Sequence, residues 1–258
     1  MSASLRSSGR HAVVTGAARG IGAEIAHRLA AEGASLTLLG RQREALQQLA
    51  DSLPGTGHGI ALADVTDVQA IAMIVQAGSC GARVDCDPRQ QRGSSRERAI
   101  SQDLHRAVAA HARRQPDRQF HLRAGGAAGH AGCWGRIVNI ASTAGQRGYA
   151  YVSAYVAAKH GVIELTRAVA LEVASKGVTV NSVCPGYTET DLLRESIANV
   201  IVKTGRSESQ ARADFAAVNP QRRLVQPIDV ADALGWLCGD GAGSVTGQSI
   251  SVSGGEVM

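Results

Sequence analysis

Several things are scarce in this chain, and each scarcity excludes something. No apolar run approaches the ~20 residues that a bilayer-spanning helix needs, so no membrane helix is expected. Met1 to Arg10 is short and polar and has no apolar core of the kind a secretory signal carries. The cysteines (Cys80, Cys86, Cys133, Cys184 and Cys238) are odd in number, scattered, and never spaced C-x-x-C. A disulfide framework or zinc site is therefore not expected, and a reducing cytoplasm is. Aromatic residues make up 3% of the chain, which bears on its basic balance. A net charge of +5 would ordinarily raise nucleic acid as a partner. However, residues 86–133 hold nine Arg against four Asp or Glu, the whole of the surplus. That stretch has almost no aromatic ring on which a base could stack, so no nucleic-acid partner is expected.

At 258 residues the chain has the length of one large α/β domain with a sizeable core. Ala12-Val13-Val14 is a short apolar run, as in a buried parallel strand. Glycines follow at Gly16, Gly20 and Gly22. Ile21, Ile25 and Leu29 then recur at helical spacing until Glu32-Gly33. A glycine turn between strand and helix lets the backbone approach a pyrophosphate, which meets the free N–H groups of the helix start. Gly16, Arg19, Gly20, Ile21 and Gly22 are therefore candidate cofactor contacts. Ser35 to Leu39 reads as the second strand. Where an NAD enzyme usually places an acid at its end, this chain has Gly40-Arg41. Arg41 and Arg19 suit a 2′-phosphate instead, so NADP(H) is favoured, with NAD(H) the alternative. Ile60 to Ala63 reads as the third strand, ending at Asp64 and Val65 beside the expected adenine.

In the second half, Arg136 to Ser142 reads as a strand ending in serine. A helix starting near Ser153 places Tyr155 and Lys159 on one face, with Gly177 as its C-cap. An ordinary tyrosine titrates near ~10 and a close ammonium favours the phenolate, so the pair suits proton transfer. Ser142 would hold the substrate oxygen. Val178 to Val183 is the next strand, and Cys184-Pro185-Gly186-Tyr187-Thr188 leaves its carboxyl end, where ligands bind in open α/β sheets. Residues 189–226 are helical in pattern and charged, and read as a substrate lid. Gly247 to Val252 gives a last strand.

In their order and spacing, T-G-x-x-x-G-x-G, S-x12-Y-x3-K, N-x-x-x-P-G and the closing Gly254-Gly255 resemble the short-chain dehydrogenase/reductase family. The resemblance covers residues 10–76 and 135–258, about three quarters of the chain. It implies a single α/β domain with a Rossmann-type, doubly wound, seven-stranded parallel sheet, assembled as a homotetramer. It also implies that Tyr155 is the catalytic acid/base and that Ser142 binds the substrate oxygen. Lys159 would hold the nicotinamide ribose and favour the ionised tyrosine, and Pro185, Gly186 and Thr188 would line the nicotinamide. No metal is expected.

Residues 80–134 depart from this pattern. The family expects a strand ending N-N-A-G, and this chain has Gln90-Gln91-Arg92-Gly93. The family also expects a catalytic Asn where Gln115 stands, within Arg113 to Asp117. The segment lacks apolar periodicity and would be an unusually long loop. Read one base later, codons for Asp87 to Gly93 can spell I-L-V-N-N-A-G, and those for His111 to Phe120 can spell M-L-D-V-N-L-T-G-S-F. A reading-frame error is therefore expected, with the frame lost between about 78 and 86 and regained between about 131 and 135. A chain translated as written is expected to lose a central strand and the following helix. His105, His111, His121 and His130 are not read as metal ligands.

The expected activity is hydride transfer between a nicotinamide and a carbonyl or secondary alcohol, the small-molecule substrate being a 3-oxoacyl thioester. A 3-hydroxybutyrate dehydrogenase, or one for another small secondary alcohol, is the alternative. Against the former, the family's members of that kind carry a His and a Lys where this chain has Ala144 and Val152. The alternative of another class is a non-catalytic nucleotide-binding protein left by the damaged segment.

Overall fold

Apolar runs alternate with helical stripes along most of the chain, and in space they become strands and the helices that cover them. The computed structural model describes residues 7–64, 119–124 (backbone only) and 134–258. Strands β1 (Arg10–Thr15), β2 (Ser35–Gly40) and β3 (Gly59–Leu62) alternate with helices α1 (Gly20–Ala31) and α2 (Arg43–Ser52). After them come β4 (Gln119–Ala124), β5 (Gly135–Ile140), α3 (Ser153–Val173) and β6 (Val178–Pro185). Helices α4 (Asp191–Thr204), α5 (Glu208–Ala217) and α6 (Pro227–Cys238) precede β7 (Ser249–Val252). Together the strands form one seven-stranded sheet in the order β3-β2-β1-β4-β5-β6-β7.

Strand alternation divides the core between the two faces of this sheet. Val183 joins the larger cluster, in which Ile25, Leu29, Leu46, Leu49, Leu234 and Leu237 of α1, α2 and α6 cover Leu36, Leu38 and Val138. Its neighbour Cys184 points the other way, against Val162 and Ile163 of α3. Buried polar groups fix how α3 lies: Asn139 Nδ2 donates to Thr166 Oγ1 at 2.9 Å, and Thr166 Oγ1 donates to the Val162 carbonyl at 2.8 Å. Helix α3 ends as its sequence indicates, through a short 3-10 turn to Gly177 at φ 71°. Helix α6 has no counterpart in the reading of the sequence. It starts with Pro227 at its first turn and packs Gly235 close to Arg28 of α1.

One strand departs from expectation. The sheet keeps a central member, because Gln119–Ala124 fills the slot between β1 and β5, but it runs antiparallel to both. Its residues lie inside the segment read as a long loop without apolar periodicity. The physical reason is backbone pairing. Strands β1 and β5 each present a ladder edge that needs partners. A parallel strand needs a crossover of a dozen or more residues, and only ten residues of sequence separate Ala124 from Gly135. The expected N-N-A-G position (Gln90 to Gly93), the slot of the catalytic Asn (Gln115) and Val65 lie outside the described residues. So do Cys80, Cys86 and Cys133.

Candidate active site

The dinucleotide turn is built from β1 outward. Thr15 closes the strand, and Gly16 (φ 61°) and Gly20 (φ 57°) take left-handed backbone, which glycine adopts without strain. Gly22 lies against the turn itself. A Cβ there would stand 2.9 Å from the Gly16 carbonyl carbon and 3.1 Å from the Ala17 Cα. Helix α1 starts at Gly20 with no acid in its first turn, so its N–H groups and positive dipole end face the turn uncompensated. The turn is tied to β2 by the Ala17 N–H, which donates to the Leu39 carbonyl at 3.3 Å. A pyrophosphate fits such a cradle, since the backbone approaches closely only where no Cβ intervenes.

Both candidate phosphate-binding arginines are exposed beside this turn. Arg41 lies 3.9 Å from Asp64, and Arg19 lies 3.4 Å from Asp191 at the start of α4. Asp64, expected near the adenine, is thus also the partner of Arg41. The Arg19–Asp191 pair links the cofactor turn to the first helix of the expected lid, and no local signal in the sequence announces it.

The residues expected to transfer the proton lie at the end of β5 and on α3. Ser142 follows β5 and caps a 3-10 turn, Thr143–Gly145, its Oγ accepting the Ala144 N–H at 3.1 Å. That turn sits on α3. A Cβ on Gly145 would be 2.6 Å from the Lys159 carbonyl oxygen, so glycine is what lets the Ser142 turn reach the Lys159 turn of the helix. Lys159 is buried. Its Nζ donates to the Ile140 carbonyl at 3.2 Å and lies 5.7 Å from the centre of the Tyr155 ring. The spacing of four residues has therefore placed ammonium and phenol together. Cys184 lies beneath them, accepts a backbone hydrogen bond from Ser142 and is held neutral, burial pushing its thiol up to about 11.

Pro185 ends β6 and Gly186 follows. The Gly186 N–H donates to the Val252 carbonyl at 3.1 Å, and Thr188 Oγ1 donates to the Gly186 carbonyl at 3.0 Å. All three expected nicotinamide-lining residues thus leave the same strand end. Tyr187 between them packs edge-on against Phe215 of α5, with ring centres 4.9 Å apart. The structure also adds residues that no motif marks. Tyr149 donates to the Glu256 carboxylate and accepts from the Thr143 hydroxyl at 2.9 Å, and Arg147 stacks on its ring at 4.7 Å. Burial and the Glu256 carboxylate push the Tyr149 hydroxyl up to about 12. These partners are far apart in the chain, so local sequence carries no sign of the contact.

The short chain dehydrogenase family model matches residues 10–82, and a model described as enoyl-(acyl carrier protein) reductase matches residues 118–256, leaving 83–117 between them. The D-beta-hydroxybutyrate dehydrogenase of Rhizobium meliloti is 34% identical, over 95% of this chain and 97% of that protein. The 3-oxoacyl-(acyl-carrier-protein) reductase of Vibrio cholerae is 33% identical, over 97% of this chain and 98% of that protein. Among solved structures, a variant of actinorhodin polyketide ketoreductase with NADPH superposes with a TM-score of 0.70 at 30% identity, covering 95% of each chain.

Proposed function

We propose that this chain, which belongs to the short-chain dehydrogenase/reductase family and is an oxidoreductase of that family, reduces 3-oxoacyl thioesters with NADPH. The observation that carries the reading is the packing of the Ser142 turn on the Lys159 turn of α3, with the Lys159 ammonium over the Tyr155 ring. The likeness to an acyl-carrier-protein reductase and to an NADPH-bound ketoreductase supports the choice of substrate and cofactor.

Gly16, Gly20, Ile21 and Gly22 would hold the pyrophosphate, Arg19 and Arg41 the 2′-phosphate, Asp64 and Val65 the adenine, and Pro185, Gly186 and Thr188 the nicotinamide. When bound, NADPH supplies the hydride. Ser142 Oγ already accepts the Ala144 N–H, so its hydroxyl proton is the part left to bond the substrate carbonyl oxygen. Tyr155 donates a proton to that same oxygen as the carbon is reduced. Lys159, fixed by the Ile140 carbonyl, would hold its ammonium beside the phenol and bond the nicotinamide ribose. The reverse sequence oxidises the secondary alcohol. Helices α4 and α5 form the lid over the substrate. Among the described residues no helix is long and apolar enough to cross a membrane, and the reading is of a cytoplasmic enzyme. A homotetramer belongs to the same reading, as the family resemblance implies.

Steady-state cofactor oxidation with acetoacetyl-CoA and with free acetoacetate tests the substrate. Turnover confined to the thioester supports the reading. Turnover confined to acetoacetate favours the 3-hydroxybutyrate dehydrogenase alternative, which the Rhizobium meliloti relative supports. Ala144 and Val152 speak against that alternative, because neither supplies a cation for a carboxylate. For the cofactor, Arg41→Ala is expected to raise the KM for NADPH about tenfold, the value of one charge-assisted hydrogen bond, and to leave the KM for NADH unchanged. Equal effects on both cofactors would remove the role given to Arg41.

The unmatched residues 83–117 lie within the segment read as frame-shifted. We propose that the protein made in the cell carries V-N-N-A-G in that stretch. Peptide mapping by mass spectrometry across residues 76–136 of protein from its natural source tests this. Peptides containing Gln90-Gln91-Arg92-Gly93 would overturn it.

A further inference from the structure

The turn after helix α5 holds a residue in an unusual backbone conformation. Arg222 has φ 57°, in the left-handed region where Cβ crowds the neighbouring carbonyl and glycine is the easier occupant. A residue kept there against strain is a pointer to function. Its guanidinium makes no ion pair or side-chain hydrogen bond among the described residues. It lines an open pocket of about 450 Å³ with Arg212 and Arg223, a volume in the range of small-ligand sites.

The pocket wall is a helix face. Ser209, Arg212, Ala213 and Ala216 recur on one side of α5, the spacing that stacks side chains along a helix. Small residues leave the space, and arginines rim it. Two of the three guanidinia are held by carboxylates: Arg212 by Glu189, and Arg223 by Asp229 at 2.7 Å. Arg222 adds a third positive charge that no acid offsets. A planar guanidinium without an acid partner, flanked by two more, suits the oxygens of a phosphate better than any neutral group.

The pocket belongs to the same lid as the reaction cleft. The Val225 N–H donates to the Tyr187 carbonyl at 2.9 Å, and the Glu189 N–H donates to the Val225 carbonyl at 2.9 Å. Phe215, next to Ala216, packs on Tyr187. A ligand held between α5 and the 222–226 turn is therefore held by the element that carries the nicotinamide-lining loop. We infer that this pocket binds the phosphate of the phosphopantetheine arm on which a 3-oxoacyl group is carried, an inference that rests on the thioester reading above.

The test compares three acetoacetyl thioesters in steady-state turnover: that of N-acetylcysteamine, which lacks phosphate, that of 4′-phosphopantetheine, and that of CoA. The variant is Arg222→Gly, because glycine suits the left-handed backbone and removes only the guanidinium. The KM for the phosphopantetheine and CoA thioesters is expected to rise about tenfold with kcat unchanged, while the KM for the N-acetylcysteamine thioester stays as in the wild type. An unchanged KM for both phosphate-bearing thioesters, in an enzyme whose wild type turns them over, overturns the pocket and leaves the thioester reading standing. The same holds for an equal rise with all three, or a rise with CoA alone. If the wild type turns over none of the three, the thioester reading fails and this inference with it.

Discussion

Replacing Tyr155 with Phe is expected to lower kcat for the thioester by about a thousandfold, the mid-range effect of losing a positioned general acid, with NADPH affinity unchanged. The two halves of this expectation come from different parts of the geometry. Affinity depends mainly on the glycine turn and the loop after β6, whose own hydrogen bonds do not involve the phenol oxygen. Turnover depends on a proton that Phe cannot give. A thousandfold loss corresponds to about 4 kcal/mol of transition-state stabilisation. The ring stays the same size, so Lys159 keeps its bond to the Ile140 carbonyl and the helix face is undisturbed. Fluorescence titration of the cofactor and single-turnover reduction measure the two quantities separately. Undiminished turnover in Tyr155→Phe would remove Tyr155 from the reaction. Cofactor binding by a wild type that turns over no ketone or thioester would favour the non-catalytic alternative.

The second large effect is expected from a single methyl group. In Gly22→Ala the new Cβ would lie 2.9 Å from the carbonyl carbon of Gly16, with its oxygen nearer still, and 3.1 Å from the Ala17 Cα. All three are backbone atoms, so no rotamer change relieves the contact. Either the turn opens or helix α1 shifts, and α1 is fixed by Ile25, Ala26 and Leu29 in the core. A destabilisation of about 3 kcal/mol follows from overpacking of this kind. For a chain of this size it lowers the melting midpoint by about 6–12 °C. Opening the turn also withdraws the N–H groups from the pyrophosphate, so NADPH affinity is expected to fall at least about a hundredfold. Gly148→Ala is the control, since a Cβ there meets nothing within 4 Å. A melting midpoint for Gly22→Ala equal to that of the control would show that the turn is looser than described.

The parts of the fold legible in the sequence were those whose signal is local. The glycines of the cofactor turn, Tyr155 and Lys159 on one face of α3, and Gly177 at its end all follow from spacing and backbone preference over a few residues. What was not legible depends on residues that meet only after folding. Helix α6 carries apolar residues on most sides and gives a weak amphipathic stripe. The contacts of Arg19 with Asp191 and of Tyr149 with Glu256 join distant segments. The strain at Arg222 is a matter of φ, which an arginine in a charged stretch does not betray. Strand β4 was hidden for a different reason. Its place comes from the two edges it satisfies, so nothing in Gln119–Ala124 alone marks it as the centre of a sheet.

Strand β4 also has a polarity, and polarity is a discrete property. Every other strand of this sheet points its carboxyl end at the side of the candidate site, and β1, β2, β3, β5 and β6 hand over a loop there: the glycine turn, Arg41, Asp64, Ser142, and Pro185 to Thr188. Strand β4 is paired so that Phe120 faces Val14 and Ala124 faces Arg10. Its amino end therefore arrives at the cofactor side, and its exit is delivered to the far edge. A strand carrying V-N-N-A-G in that slot would have to enter from the opposite direction. No slide of register converts one arrangement into the other, because reversing a strand requires breaking both of its ladders at once. The central groove of the sheet accepts a single occupant, and the two chains would be distinct folds in that slot, each closed to the other.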